Sequence, residues 1–84
     1  MHNPPRILVV DDSPANVEIL QMRLQAQGYA ILTATDGEEA LSAVFEHKPD
    51  LILLDVMMPK LDGIEVCRRL RADEMLPFVP IILM

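Results

Sequence analysis

The chain has 84 residues, a formal charge of −6 at pH 7 and a sequence pI near 4.6. Nucleic acids and anionic membranes both require basic surface, so this charge argues against either class of partner. Cys67 is the single cysteine, which excludes an internal disulfide. Every apolar run is well short of the ~20 residues that a bilayer span needs. We therefore expect a protein of the reducing cytoplasm.

The first predicted strand is the apolar run at residues 7–10, which ends directly in Asp11 and Asp12. Ser13 then supplies a helix N-cap, and Pro14 occupies the first helical position, where its missing N–H costs nothing. We expect this helix to run to about Gln27 and to end at Gly28.

The first helix carries two apolar stripes, given about 100° of rotation per residue. They consist of Val17, Leu20 and Leu24 on one side and of Ala15, Ile19, Met22 and Ala26 on the other. One stripe can face a sheet, while the other either needs a cover or is tolerated in solvent.

The sequence pattern of residues 30–33 alternates enough to predict an edge strand. Asp36 followed by Glu39 predicts the N-cap of a second helix. Pro49 prevents that helix from continuing. Its apolar stripe consists of Ala40, Leu41, Val44 and Phe45.

The third predicted strand is the apolar run at residues 51–54, which ends directly in Asp55. Because the runs at residues 7–10 and 51–54 are continuously apolar, we expect both to be central parallel strands that are buried on both faces. A loop containing Pro59 then leads into a third helix. We expect its inward side to consist of Ile64, Cys67 and Leu70.

Strands and helices thus alternate, and an apolar segment at residues 81–84 completes the series. This order predicts an α/β fold with an open parallel sheet and helices on both faces. Ligands bind at the carboxyl edge of such sheets, where Asp11, Asp12 and Asp55 should meet. Three carboxylates in one place repel one another unless one takes up a proton or the group shares a hard cation, and we expect Mg²⁺.

Three segments that contain these features resemble the receiver domain of two-component response regulators. They are residues 6–16 (RILVVDDSPAN), 36–41 (DGEEAL) and 49–63 (PDLILLDVMMPKLDG). The resemblance implies a flavodoxin-like receiver fold over residues 1–84, lacking the last strand and the last two helices of the family.

The resemblance also implies roles for single residues. Asp55 would be the phosphoacceptor and would take a phosphoryl group from a phosphohistidine on a sensor histidine kinase or a phosphotransfer protein. Asp12 and Asp55 would bind Mg²⁺ directly, Asp11 would bind it through a water, and the backbone carbonyl of Met57 would complete the protein ligands. Such a module acts as a signalling switch and not as an enzyme.

Two other functions stay open. A degenerate receiver would serve as a dimerisation or protein-binding scaffold without phosphorylation, and its partner binding would survive a change at Asp55. A phosphatase with an aspartate nucleophile also places an Asp behind a parallel strand. That chemistry generally requires a second acid two residues later, where this chain has Met57.

The predicted fourth strand is the expected site of self-association. It would form an apolar sheet edge, and such edges recruit other strands. We therefore expect a homodimer or an element-swapped assembly through residues 81–84. The resemblance places the switch hydroxyl and the phosphate-binding lysine of the family beyond Met84, which leaves open whether residues 1–84 alone accept a phosphoryl group.

Overall fold

The structure, a computed structural model, describes residues 3–56, 63–73 and 78–84. Strands and helices alternate along these residues in the predicted order. The elements are β1 (Arg6–Val10), α1 (Pro14–Ala26), β2 (Ala30–Ala34), α2 (Gly37–His47), β3 (Leu51–Leu54), α3 (Gly63–Ala72) and β4 (Ile81–Leu83). Within these residues no helix is long and apolar enough to cross a membrane.

The strands form one parallel sheet in the order β2-β1-β3-β4 over the described part of the chain. This arrangement confirms the predicted α/β architecture and the edge positions of β2 and β4. In the register of the central pair, Val10 lies opposite Leu54. Because β1 and β3 end at the same level, the residues that follow them, Asp11 and Asp55, are brought side by side.

The main core lies between one face of the sheet and the helices α2 and α3. Its buried members come from alternate positions of the central strands and from one side of each helix, as the periods of strands and helices require. They include Leu8, Val10, Ile52, Leu54, Ala40, Val44, Val66 and Leu70.

The opposite face of the sheet is only partly covered. Here α1 packs on β1 and β2, so that Ile7 and Val9 are buried and the prediction of a strand buried on both faces is correct for β1. It is wrong for β3, where Leu51 and Leu53 are half-buried. A groove of about 390 Å³ lies beside them, with Leu24 of α1 on its wall.

Helix α1 begins and ends where the sequence predicts. The Ser13 side chain accepts a hydrogen bond from the Asn16 N–H, and Gly28 follows the helix with a φ of 94°. The stripe containing Val17 faces the sheet and is half-buried. On the far stripe, Ile19 is 51% exposed and Met22 is 65% exposed.

The N-cap of α2 agrees with the sequence prediction, whereas the buried side of α3 differs from it at one residue. Asp36 caps α2 by accepting from the Glu39 N–H at 2.8 Å, whereas the Glu39 carboxylate accepts from the Thr35 hydroxyl. In α3, Leu70 is buried and Cys67 is half-buried, but Ile64 is 54% exposed. The inward prediction for Ile64 is wrong because the buried side of α3 runs through Gly63, Val66 and Leu70, and Ile64 lies about 100° away from Gly63 around the helix.

Candidate metal centre

Three carboxylates converge at the carboxyl end of the two central strands. Asp11 and Asp12 directly follow β1, and Asp55 directly follows β3. One side-chain oxygen of each residue lies within 4.8 Å of the corresponding oxygens of the other two. The structure thus brings together the three acidic residues that the sequence selects.

The three carboxylates differ in exposure. Asp11 is 6% exposed, Asp55 is half-buried, and Asp12 is exposed. The cluster therefore combines one acid that is fixed within the protein with two that solutes can reach.

The turn from β1 into α1 fixes Asp11. Its backbone N–H donates to the Ala34 carbonyl at 3.1 Å, which extends the ladder between β1 and β2 by one residue. Its Oδ1 accepts from the Ser13 N–H at 2.9 Å. Because Ser13 also caps α1, the start of that helix and the carboxylate of Asp11 are held by one hydrogen-bonded turn.

Asp55 is held between a strand and a helix. Its backbone N–H donates to the Val10 carbonyl at 2.9 Å, and the N–H of Gly63 donates to the Val56 carbonyl at 3.1 Å. The backbone that carries Asp55 is therefore tied to β1 on one side and to the first residue of α3 on the other.

The donor set of this cluster fits Mg²⁺. Magnesium prefers oxygen ligands in an octahedron with metal–oxygen distances of about 2.1 Å, so ligand oxygens lie about 3 Å apart when adjacent and about 4 Å apart when opposite. Because all three oxygens lie within 4.8 Å of one another, the cluster can share a single cation. A divalent cation would also offset the mutual repulsion of the carboxylates. The predicted carbonyl ligand, Met57, lies outside the described residues.

An open cleft of about 310 Å³ adjoins the cluster. Its lining includes Asp11, Asn16, Ile19, Leu20 and Met84. The sequence places Ile19 on the far stripe of α1 but does not place it beside the acids. The available signal is that α1 begins two residues after Asp12, so its first turns must pass the end of β1.

Comparison with known families and proteins gives a consistent result. A family model described as the response regulator receiver domain matches residues 7–84. The alkaline phosphatase synthesis transcriptional regulatory protein PhoP of Bacillus subtilis is 56% identical over 71 residues, which is 84% of this chain and 30% of that protein. The response regulator PleD of Caulobacter vibrioides is 50% identical over 78 residues, which is 93% of this chain and 17% of that protein. The chain thus spans less than a third of either relative.

Solved structures share the fold. The N-terminal domain of a response regulator receiver protein from Methanoculleus marisnigri JR1 superposes with a TM-score of 0.90 at 42% identity, over 93% of this chain and 63% of that one. The response regulator TrrA of Thermotoga maritima, solved in complex with Mg²⁺-BeF, superposes with a TM-score of 0.80 at 47% identity, over 83% of this chain and 61% of that one.

Proposed function

This chain belongs to the response regulator receiver domain family, and we propose that it is a phosphoacceptor module of a two-component phosphorelay. In this proposal Asp55 accepts a phosphoryl group, and Mg²⁺ is held by the cluster of Asp11, Asp12 and Asp55. The observation that carries the proposal is the approach of the three carboxylate oxygens to within 4.8 Å of one another. The Met57 carbonyl is the fourth predicted protein ligand.

The proposed reaction is a transfer from nitrogen to oxygen. A carboxylate oxygen of Asp55 attacks the phosphorus of a phosphohistidine on the donor, the phosphorus–nitrogen bond breaks, and its electron pair returns to the imidazole. The product is an acyl phosphate on Asp55. Bound Mg²⁺ would neutralise charge on the transferring phosphoryl oxygens. The hydrogen bond that Asp11 Oδ1 accepts from the Ser13 N–H holds that carboxylate in place for this step. The hydrogen bond from the Asp55 N–H to the Val10 carbonyl fixes the backbone that carries the nucleophile.

The donor would be a sensor histidine kinase or a phosphotransfer protein that approaches along α1. The cleft beside Asp11 continues onto Ile19, and Ile19 and Met22 expose apolar surface on the far stripe of that helix. Exposed apolar side chains next to a reactive group are suited to docking a partner. The Mg²⁺-BeF complex of the related TrrA further supports a phosphoryl site with magnesium.

The test is magnesium-dependent modification by acetyl phosphate, read by mass spectrometry of the intact chain. We expect one added phosphoryl group in the wild type and none in Asp55→Asn. Asp36→Asn is the matched control, because it makes the same chemical change at a helix cap where Asn functions as well as Asp. Modification that persists in Asp55→Asn would refute the assignment of the nucleophile.

The apolar edge strand favours one alternative, a receiver that acts as an assembly scaffold without phosphorylation. Ile82, Leu83 and Met84 are 52%, 45% and 46% exposed, and β4 is at the edge of the sheet formed by the described residues. A second copy could pair with this edge. Self-association that is equal in the wild type and in Asp55→Asn, and that magnesium and acetyl phosphate leave unchanged, would favour the scaffold over the phosphoacceptor.

A further inference from the structure

The first residue of α3 leaves no room for a side chain. A Cβ atom built on Gly63 would lie 2.5 Å from the carbonyl oxygen of Asp55 and 2.8 Å from the Cα atom of Val56. Ordinary van der Waals contacts of a Cβ atom begin at 3.4 Å. Both of these neighbours are backbone atoms, so no change of side-chain rotamer can relieve the overlap.

Space, and not backbone conformation, is what requires glycine here. Gly28 is the glycine with a positive φ among the described residues, and Gly63 is not one. Alanine forms helices better than glycine does, so local helix propensity argues against the residue that is present. The close approach to Asp55 accounts for it.

This approach lies where the site is assembled. The N–H of Gly63 donates to Val56, and the N–H of Asp55 donates to Val10. Helix α3 is anchored in the core through Val66 and Leu70. The backbone of Asp55 is therefore confined between β1 and a helix that is itself fixed by packing.

We propose that Gly63 is a positioning residue: by letting α3 approach the Asp55 backbone, it sets the Asp55 carboxylate at the separation from Asp11 and Asp12 that a small octahedral cation requires. This inference rests on the proposed metal site of the receiver. It assigns Gly63 no contact with the cation or with the phosphoryl group.

A methyl group at Gly63 should move Asp55 by roughly 1 Å, a displacement sufficient to disturb a preorganised site. The two biological alkaline-earth cations should respond differently. Mg²⁺ demands near-ideal octahedral geometry, whereas Ca²⁺ accepts six to eight oxygens in flexible arrangements. Gly63→Ala should therefore weaken Mg²⁺ binding more than Ca²⁺ binding.

The experiment measures the dissociation constants of Mg²⁺ and Ca²⁺ by calorimetry for the wild type, Gly63→Ala and Leu70→Ala. Leu70 is buried in the same helix, two turns from Gly63, so its truncation weakens α3 packing without touching Asp55. We expect the ratio of the Mg²⁺ constant to the Ca²⁺ constant to rise about tenfold in Gly63→Ala, in the range seen when groups that orient metal ligands are removed. In Leu70→Ala the ratio should stay within about twofold of the wild type.

The ratio is informative even for a partly unfolded variant. Partial folding divides both dissociation constants by the same competent fraction, which cancels in their ratio. In the metal-free state, the backbone amide resonances of Asp55 and Val56 should also shift in Gly63→Ala and not in Leu70→Ala.

Three outcomes would overturn the inference: an unchanged ratio in Gly63→Ala, an equal change in Leu70→Ala, or a Gly63→Ala chain that stays unfolded even in saturating Ca²⁺. The last would make the glycine a requirement of the fold and not of the site. A wild type that binds neither cation would instead refute the proposed function, so the two failures are distinguishable.

Discussion

A variant in which Asp11 is neutralised should be more stable than the wild type without metal and less stable than the wild type when Mg²⁺ is bound. Asp11→Asn keeps the shape of the side chain, and its amide oxygen can still accept from the Ser13 N–H. What changes is one negative charge in a cluster of three. Stability measured without metal therefore reports the repulsion between the carboxylates, and stability measured with Mg²⁺ reports their role as ligands.

The magnitude follows from the geometry. Two unit charges at the 4.8 Å limit of the cluster repel by about 1 kcal/mol in bulk water and by about 3 kcal/mol at the effective dielectric constant near a protein surface. Asp11 is buried while its two neighbours are more exposed, so we expect Asp11→Asn to raise the free energy of unfolding by about 2 kcal/mol without metal. At a Mg²⁺ concentration of about 1,000 times the dissociation constant, the wild type should gain about 4.1 kcal/mol, most of which the variant loses.

The assay is urea unfolding followed by far-ultraviolet circular dichroism, in a chelator and in saturating Mg²⁺, with free energies from linear extrapolation. The order of stability of the two proteins should reverse between the conditions. Added sodium chloride should narrow the gap seen in the chelator, because salt screens the repulsion. Asp36→Asn, which keeps a helix cap, is the control and should show no reversal. An Asp11→Asn variant that is less stable than the wild type in the chelator would refute the reasoning.

Two further predictions concern the sheet edge and the core. In the proposed assembly through β4, a charged residue on the edge strand blocks pairing, so Ile82→Lys should shift the sedimentation coefficient toward that of a monomer. Ile64→Lys, at a comparably exposed position on α3, should not shift it. Equal sedimentation coefficients for the two variants would exclude association through β4. Leu54→Ala should lower the free energy of unfolding by about 2–5 kcal/mol, since Leu54 is fully buried. Ile19 is half-exposed on α1, so Ile19→Ala should lower it by less than about 1 kcal/mol. Equal losses of unfolding free energy in the two variants, measured by urea unfolding, would contradict the described core.

The acidic cluster was predictable because it depends on two local facts. Apolar runs at residues 7–10 and 51–54 each end in carboxylates, and parallel strands of an α/β sheet deliver their carboxyl ends to one edge. No knowledge of the loops is needed for Asp11 and Asp55 to meet. The helix caps at Ser13 and Asp36 were predictable for the same reason, since the signal lies within a few residues of its effect.

Features set by distant packing were not predictable. The exposure of Leu51 and Leu53 depends on which strands α1 covers, and the two apolar runs look alike in sequence. The sequence pattern gives the wrong orientation for Ile64 because the buried side of α3 begins with Gly63, which has no side chain to show hydrophobic character. The space-limited contact between Gly63 and Asp55 exists only once α3 has packed against the end of β3.

Because β1 and β3 end at the same level of the sheet, the acidic site forms only in the folded protein. Asp55 is far from Asp11 and Asp12 along the chain and becomes their neighbour only when the two central strands are hydrogen-bonded in register. A cation held by all three acids therefore binds the native state and not the unfolded chain. A phosphoryl donor that needs the same constellation would ignore misfolded copies. Under the proposed function, chains that fail to pair these strands would therefore not be phosphorylated.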